Sequence, residues 1–230
     1  MEPIENDVAP VAAVDRGIEV IRVEKPIRYR DAFRAQQHRR IAVERGEKGN
    51  ALFLLEHPAV ITIGRSGHAE NILLSREELA ARGIELHEVD RGGDVTYHGP
   101  GQLVAYPVLN LKLWKQSLRW YITSLEEIVI RTIASYGIKG EIMEGFTGVW
   151  VGGAKVAAIG IGVHAWVTFH GLALNVDPAL SHFRLIVPCG IADKPVTSMR
   201  QLLGYAPPMT EVMDRLETEF LNYFANFKAE

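Results

Sequence analysis

The chain has 230 residues, 47% hydrophobic and 23% charged, with a formal net charge of −3. That is ordinary globular composition, long enough to bury a core without disulfides or a structural metal, and its charge balance excludes the strongly basic footprint of a nucleic-acid binder. A single cysteine, Cys189, excludes an intramolecular disulfide and fits a reducing compartment.

Met1 to Val14 carry Glu2, Glu5 and Asp7 and no Lys or Arg, so neither a secretory signal nor a transit peptide is expected. No apolar run approaches the ~18 residues of a membrane span. A cytoplasmic protein without membrane contact is the expectation. Residues 1–17 read as a loose arm, and 18–230 as one domain.

The elements follow in order. Ile18 to Val23 alternates apolar and polar, as a half-buried strand does. Ile27 to Val43 reads as an amphipathic helix with Phe33, Gln37 and Ile41 on its stripe, stopping near Gly46. Ala51 to Leu55 is a buried-strand run, and Val60 to Ile63 a second strand after Pro58. Ser75 and Glu78 form a capping box for a short helix to Ala81, closed by Gly83. Ile84 to Val89 and Leu103 to Leu109 are strands, the latter after a turn at Pro100 and Gly101. Leu118, Tyr121, Ile122, Leu125, Ile128, Thr132 and Ile133 mark the clearest helix, over by Gly137. Strands then dominate through Gly148–Val151, Lys155–His164 and Val167–Val176, with glycines between them read as turns. A last helix starts near Thr210 and runs towards Phe227. Strands and helices mix without regular alternation, which predicts an α+β fold.

Three segments offer chemistry. Asp90 to Gln102 sets paired glycines, Gly92–Gly93 and Gly99–Pro100–Gly101, beside Thr96, Tyr97 and His98; glycine there permits close backbone approach to a ligand, or simply builds a hairpin. Lys155 heads the small apolar run Val156 to Gly162; it either snorkels to water or is held desolvated as a usable base. Pro188–Cys189–Gly190 presents a thiol on a tight turn beside a backbone N–H, an arrangement suited to acyl transfer, although an inert buried cysteine reads the same way. His57, His164, His170 and His182 have no metal-ligand spacing, and there is no Walker A motif or dinucleotide fingerprint.

Together these segments resemble one family. Arg91–Gly92–Gly93–Asp94–Val95–Thr96–Tyr97–His98–Gly99–Pro100–Gly101–Gln102 closely resembles the signature of octanoyltransferases, the lipoyl/octanoyl-[acyl-carrier-protein]–protein transferases of lipoate biosynthesis. Leu55 to Val60, Gly148 to Val151, Lys155 to Gly160, Gly171 to Val176 and Pro188 to Ile191 keep the family's order, so the resemblance covers about Val20 to Leu203. It implies the fold of biotin/lipoate protein ligase catalytic domains, a mixed β-sheet with packed helices. It implies Cys189 as nucleophile through an acyl-thioester and Lys155 as the base that lowers its pKa. It places Arg91, Gly92, Gly93, Asp94, Val95, Thr96, Tyr97 and His98, then Ala158, Ile159 and Gly160, then Gly171, Leu172 and Ala173 around the acyl chain.

By the same resemblance the donor is octanoyl-acyl carrier protein. The acceptors are lipoyl domains of 2-oxo-acid dehydrogenases and the glycine-cleavage H protein. No cofactor, metal or nucleic acid takes part, and the protein is a monomer. Arg65 and Arg91 are candidates for steering the acidic carriers. Two rival readings are an ATP-dependent lipoate or biotin ligase, which needs no cysteine, and a non-catalytic module that binds lipoyl domains or carrier protein.

Overall fold

The structure is a computed structural model and describes residues 16–187 and 194–228. Among the described residues, ten strands form two sheets. The larger runs β1 (Ile18–Arg22), β2 (Asn50–Leu55), β6 (Gln102–Val108), β10 (Val167–Asn175), β9 (Ala154–His164), β8 (Phe146–Val151) and β7 (Glu141–Met143) in spatial order. Only β1 and β2 pair in parallel; the other neighbours are antiparallel. The smaller sheet is β4 (Glu85–Glu88), β3 (Val60–Ile63) and β5 (Val95–His98), with β3 parallel to β4 and antiparallel to β5. The expected mixed, helix-packed α+β fold is the one observed.

The period of two along the strands divides the core. In β2, Leu52 and Leu54 face one layer while Ala51, Phe53 and Leu55 face the other. The first layer packs under α3 (Leu118–Ala134) and α5 (Met209–Ala225), through Tyr121, Leu125, Ile128 and Val129 and through Val212, Leu216, Phe220 and Phe224. The second packs under α1 (Tyr29–Glu44). Both faces being covered explains why β2 and β6 read as continuous apolar runs rather than alternating ones. The smaller sheet has its own core of Ile61, Ile63, Leu79, Ile84, Val95 and Tyr97, closed by α2 (Arg76–Ala81). The capping box of α2 is formed: Ser75 Oγ accepts from the Glu78 N–H, and Glu78 accepts from the Ser75 N–H. No helix among the described residues is long and apolar enough to cross a membrane.

The structure corrects several sequence expectations. Helix α1 starts at Tyr29, and its buried residues are Tyr29, Ala32, Gln36 and Val43 rather than the Phe33–Gln37–Ile41 stripe. Its buried face is partly polar because Tyr29 and Gln36 bond to His170 below them, so an apolar count could not find it. The β9–β10 turn carries no glycine: Ala165 and Trp166 adopt φ of 49° and 67°, the left-handed pair that a two-residue hairpin demands. Strands β5 and β7 and the short helix α4 (Met199–Leu203) were not anticipated, each being too short to show a period.

Candidate active site

The glycine-rich segment folds as a loop, 91–94, leading into β5, and it faces β9 and β10 of the larger sheet. Arg91 is 7% exposed. Its guanidinium donates to the Thr62 carbonyl at 2.8 Å, to Thr62 Oγ1 at 2.9 Å and to the Gly92 carbonyl at 3.0 Å. Gly92 N–H donates to the Ile161 carbonyl at 2.8 Å, tying loop to strand. A Cβ at Gly160 would lie 2.9 Å from the Gly92 carbonyl oxygen and 3.1 Å from Arg91 Cδ, so this close approach requires glycine in β9. Asp94 is also buried, and its carboxylate accepts from Asn71 Nδ2 at 2.7 Å. Arg91 and Asp94 therefore build the loop. The burial of Arg91 removes it as a steering residue, whereas Arg65 is exposed.

Between this loop, β5, β9 and β10 lies a cavity of about 460 Å³, in the range of small-molecule sites. Arg91, Gly92, Gly93, Asp94, Val95, Thr96, His98, Lys155, Ala158, Ile159, Gly160, Gly171, Leu172 and Ala173 all line it. Tyr97 is absent from that lining. It faces the smaller sheet's core, where its hydroxyl bonds His182 Nδ1 at 2.8 Å. The step of two along β5 puts it opposite Thr96 and His98. Cys189 lies outside the described residues.

Lys155 sits at the partly exposed rim. Its ammonium donates to the Thr147 carbonyl at 3.1 Å and lies 4.7 Å from the Trp150 ring centroid, a cation–π distance. Gly148 lies against it: φ there is +124°, and an added Cβ would meet the Ala157 carbonyl oxygen at 2.5 Å, which requires glycine at this position. Behind it Glu126, 4% exposed, accepts from the Gly148 N–H at 2.9 Å. Burial raises the Glu126 pKa, while that N–H and the charge of Lys155 pull the other way.

The chain on either side of the cysteine segment is tied to this site. Val187 N–H donates to the Asn71 carbonyl at 2.8 Å, and Asn71 in turn holds Asp94. Lys155 N–H donates to the Pro195 carbonyl at 2.8 Å, and Thr197 N–H to the Lys155 carbonyl at 2.9 Å.

Sequence reasoning missed much of the polar wall: Tyr29, Tyr106, His170, Asn175 and Lys194 also line the cavity. His170 stands out, with φ +56° inside a fully buried strand. Its ring spans Asp90 Oδ1 at 3.1 Å and the Tyr29 hydroxyl at 3.3 Å. Apart from Asn175, which lies in the Gly171–Val176 motif, no motif marked these residues; only their place in three dimensions does.

The histidines near the cavity are held neutral. Burial pushes His57 down to about 4 and His98 down to about 3, the latter helped by the neighbouring His57. Their unfolded counterparts titrate near 6.5, so below that pH the unfolded chain binds protons that the folded one refuses. Stability is therefore full above pH ~6.5 and falls as pH drops through 6 and 5 towards the folded values, by up to ~1.4 kcal/mol per histidine per pH unit. Urea midpoints at pH 7.5, 6, 5 and 4.5 check this. The expected result is a steady fall beginning near 6.5, and a midpoint unchanged down to pH 4.5 would contradict it.

The site is thus a cavity of about 460 Å³ in a mixed sheet covered by helices, under a glycine loop and with a lysine at its rim. Residues 28–221 match the lipoyl protein ligase A/B catalytic domain, and the chain belongs to that family. A relative from Chloroflexus aggregans, named octanoyltransferase, is 55% identical over 186 residues, covering 79% of this chain and 84% of its own. Another of that name, from Solibacter usitatus, is 47% identical over 198 residues, covering 86% and 89%. Among solved structures, lipoate-protein ligase A bound with ATP superimposes with a TM-score of 0.75 at 16% identity, over 92% of this chain and 87% of that one. That identity speaks to fold alone, while the relatives bear out the resemblance read from the motifs.

Proposed function

We propose that the protein moves an octanoyl group from the thioester of an acyl carrier protein to a lysine of lipoyl domains or H protein, through an acyl-thioester on Cys189. The observation that carries octanoyl transfer in protein lipoylation is the set of relatives named octanoyltransferase, 44–55% identical over most of the chain; it makes this protein an acyltransferase. We read residues 18–230 as one catalytic domain, working as a monomer in the cytoplasm.

The chemistry balances on two groups. Lys155 takes the Cys189 proton, giving a thiolate–ammonium pair. The sulfur attacks the donor carbonyl, the carrier's C–S bond breaks, and the departing thiolate takes the proton from Lys155. The acceptor amine then attacks the Cys189 thioester. Its C–N bond forms, the C–S bond breaks, and its proton passes to neutral Lys155, restoring the pair. Thioester to amide is downhill, so no nucleotide is needed. The cavity wall of Ala158, Gly160, Gly171 and Ala173 leaves room for the chain, whose methylenes gain roughly 0.8 kcal/mol each on burial. Arg91 through His98, excepting the inward-turned Tyr97, would form the facing wall.

Intact-mass spectrometry tests this reading. Octanoyl carrier protein without ATP is expected to add one octanoyl group to the protein. Free octanoate with ATP is expected to add none. Octanoylation of an added lipoyl domain only in the second mixture would make the protein a ligase, and neither adduct nor octanoylated domain in either mixture would favour a binding module.

A further inference from the structure

A chain of four side-chain and backbone groups runs through the cavity wall and has a forced direction. The Thr197 carbonyl can only accept, so Asn175 Nδ2, 3.0 Å away, donates to it. Asn175 Oδ1 therefore accepts, and Gln102 Nε2 donates to it at 2.9 Å. Gln102 Nε2 also donates to the Tyr97 carbonyl at 3.3 Å, which fixes its amide the same way. Gln102 Oε1 must then accept, and the atom 2.7 Å from it is His98 Nδ1. His98 carries its proton on Nδ1, and its Nε2 bears a lone pair. No described residue bonds that nitrogen, and His98 lines the cavity.

Backbone pairing ties this chain of hydrogen bonds to the strand that carries Lys155. Ala157 pairs with Leu174, and Gln102 with Asn175. Lys155, two residues before Ala157, thus lies one rung from Asn175. Thr197 joins them, accepting from Asn175 through its carbonyl and donating to the Lys155 carbonyl through its N–H. The acyl-chain wall at Gly171 and Gly160 lies further along the same strands.

We propose that His98 Nε2 accepts an N–H of the incoming lysine amine and aims its lone pair at the acyl carbonyl, with Gln102 as the positioning residue that fixes the tautomer. Of the two substrates, the donor thioester offers no hydrogen to an acceptor, whereas the amine offers two. An acceptor here selects the second half-reaction. The depressed basicity of His98 suits the role: it orients the amine without keeping its proton, which stays with Lys155. This deepens the acyl-transfer reading and rests on it.

Two measurements test it separately. Long-range 15N–1H spectra of the histidine-labelled wild-type protein at pH 7 report the tautomer without any turnover. The His98 signal, assigned with His98→Phe, is expected to show protonated Nδ1 and bare Nε2; protonated Nε2 overturns the proposal. In Gln102→Leu the two tautomers should mix. Rapid-quench mass spectrometry then compares acyl-enzyme formation with transfer to a lipoyl domain. In His98→Phe and Gln102→Leu the transfer step is expected to fall roughly 10- to 100-fold more than formation does, the worth of one hydrogen bond to a charging group. Equal falls in both steps would sink the proposal while leaving the acyl-enzyme intact. No adduct on the wild-type protein would instead sink the underlying reading, whatever the tautomer.

Discussion

Cys189→Ser is expected to eliminate the octanoyl adduct and to lower transfer by about a thousandfold or more, in line with loss of an activated nucleophile. A serine hydroxyl is far less acidic than a thiol, so an amine that ionises cysteine leaves serine protonated. Residues 188–193, Cys189 among them, fall outside the described residues, but the chain on either side does not. Val187 is anchored through Asn71 to the Asp94 loop. On the other side Lys194 lines the cavity, and Pro195 is bonded to Lys155. Intact mass after mixing with octanoyl carrier protein, together with the rate of lipoyl-domain octanoylation, reads the result. A serine variant that turns over at the wild-type rate would remove covalent catalysis.

Lys155→Ala and Lys155→Arg are expected to be nearly as damaging, by roughly 10²- to 10⁴-fold in acyl transfer. The alanine variant loses both charge and base. Its thiol should react with iodoacetamide more slowly at neutral pH, with the rate–pH curve displaced to higher pH. Arginine keeps the charge but cannot give up its proton in this range. It can pair with a thiolate, yet cannot receive the proton of the attacking amine. The contrast isolates proton transfer from charge pairing, and near-normal transfer by Lys155→Arg would refute the base. The side chain's setting favours a defined position: the Thr147 carbonyl and the Trp150 face hold the ammonium.

Periodicity revealed the long elements because two-sided burial leaves a plain mark. The uninterrupted apolar β2 and β6, the three- and four-residue steps of α3 and the Ser75–Glu78 box are all local signals. Helix α1 was placed but turned wrongly, since its buried Tyr29 and Gln36 answer to His170, more than a hundred residues away. The site divides the same way. Arg91, Gly92 and Gly160 entered through the resemblance, and the close approach of β9 to the Gly92 carbonyl gives Gly160 its physical reason. Tyr97 was counted into the cavity because a motif lists neighbours, while a strand sends alternate ones to opposite sides. The histidine–amide chain from His98 to Thr197 spans three separate segments, and nothing in any one of them announces it.

The cavity wall includes β10, a strand hydrogen-bonded on both flanks, by β6 and β9, and buried at every one of its positions. Such a strand opens only when the whole sheet does, so its local opening free energy approaches that of global unfolding. Acyl chains therefore cannot enter by a breathing of this wall. Among the described residues, solvent reaches the rim at the opposite border, where Gly145, Phe146 and Thr147 meet Lys155 and Lys194. In the proposed reaction, a rigid floor beneath that edge would make the carboxyl end the last part of the chain to pass it, beside the rim lysine.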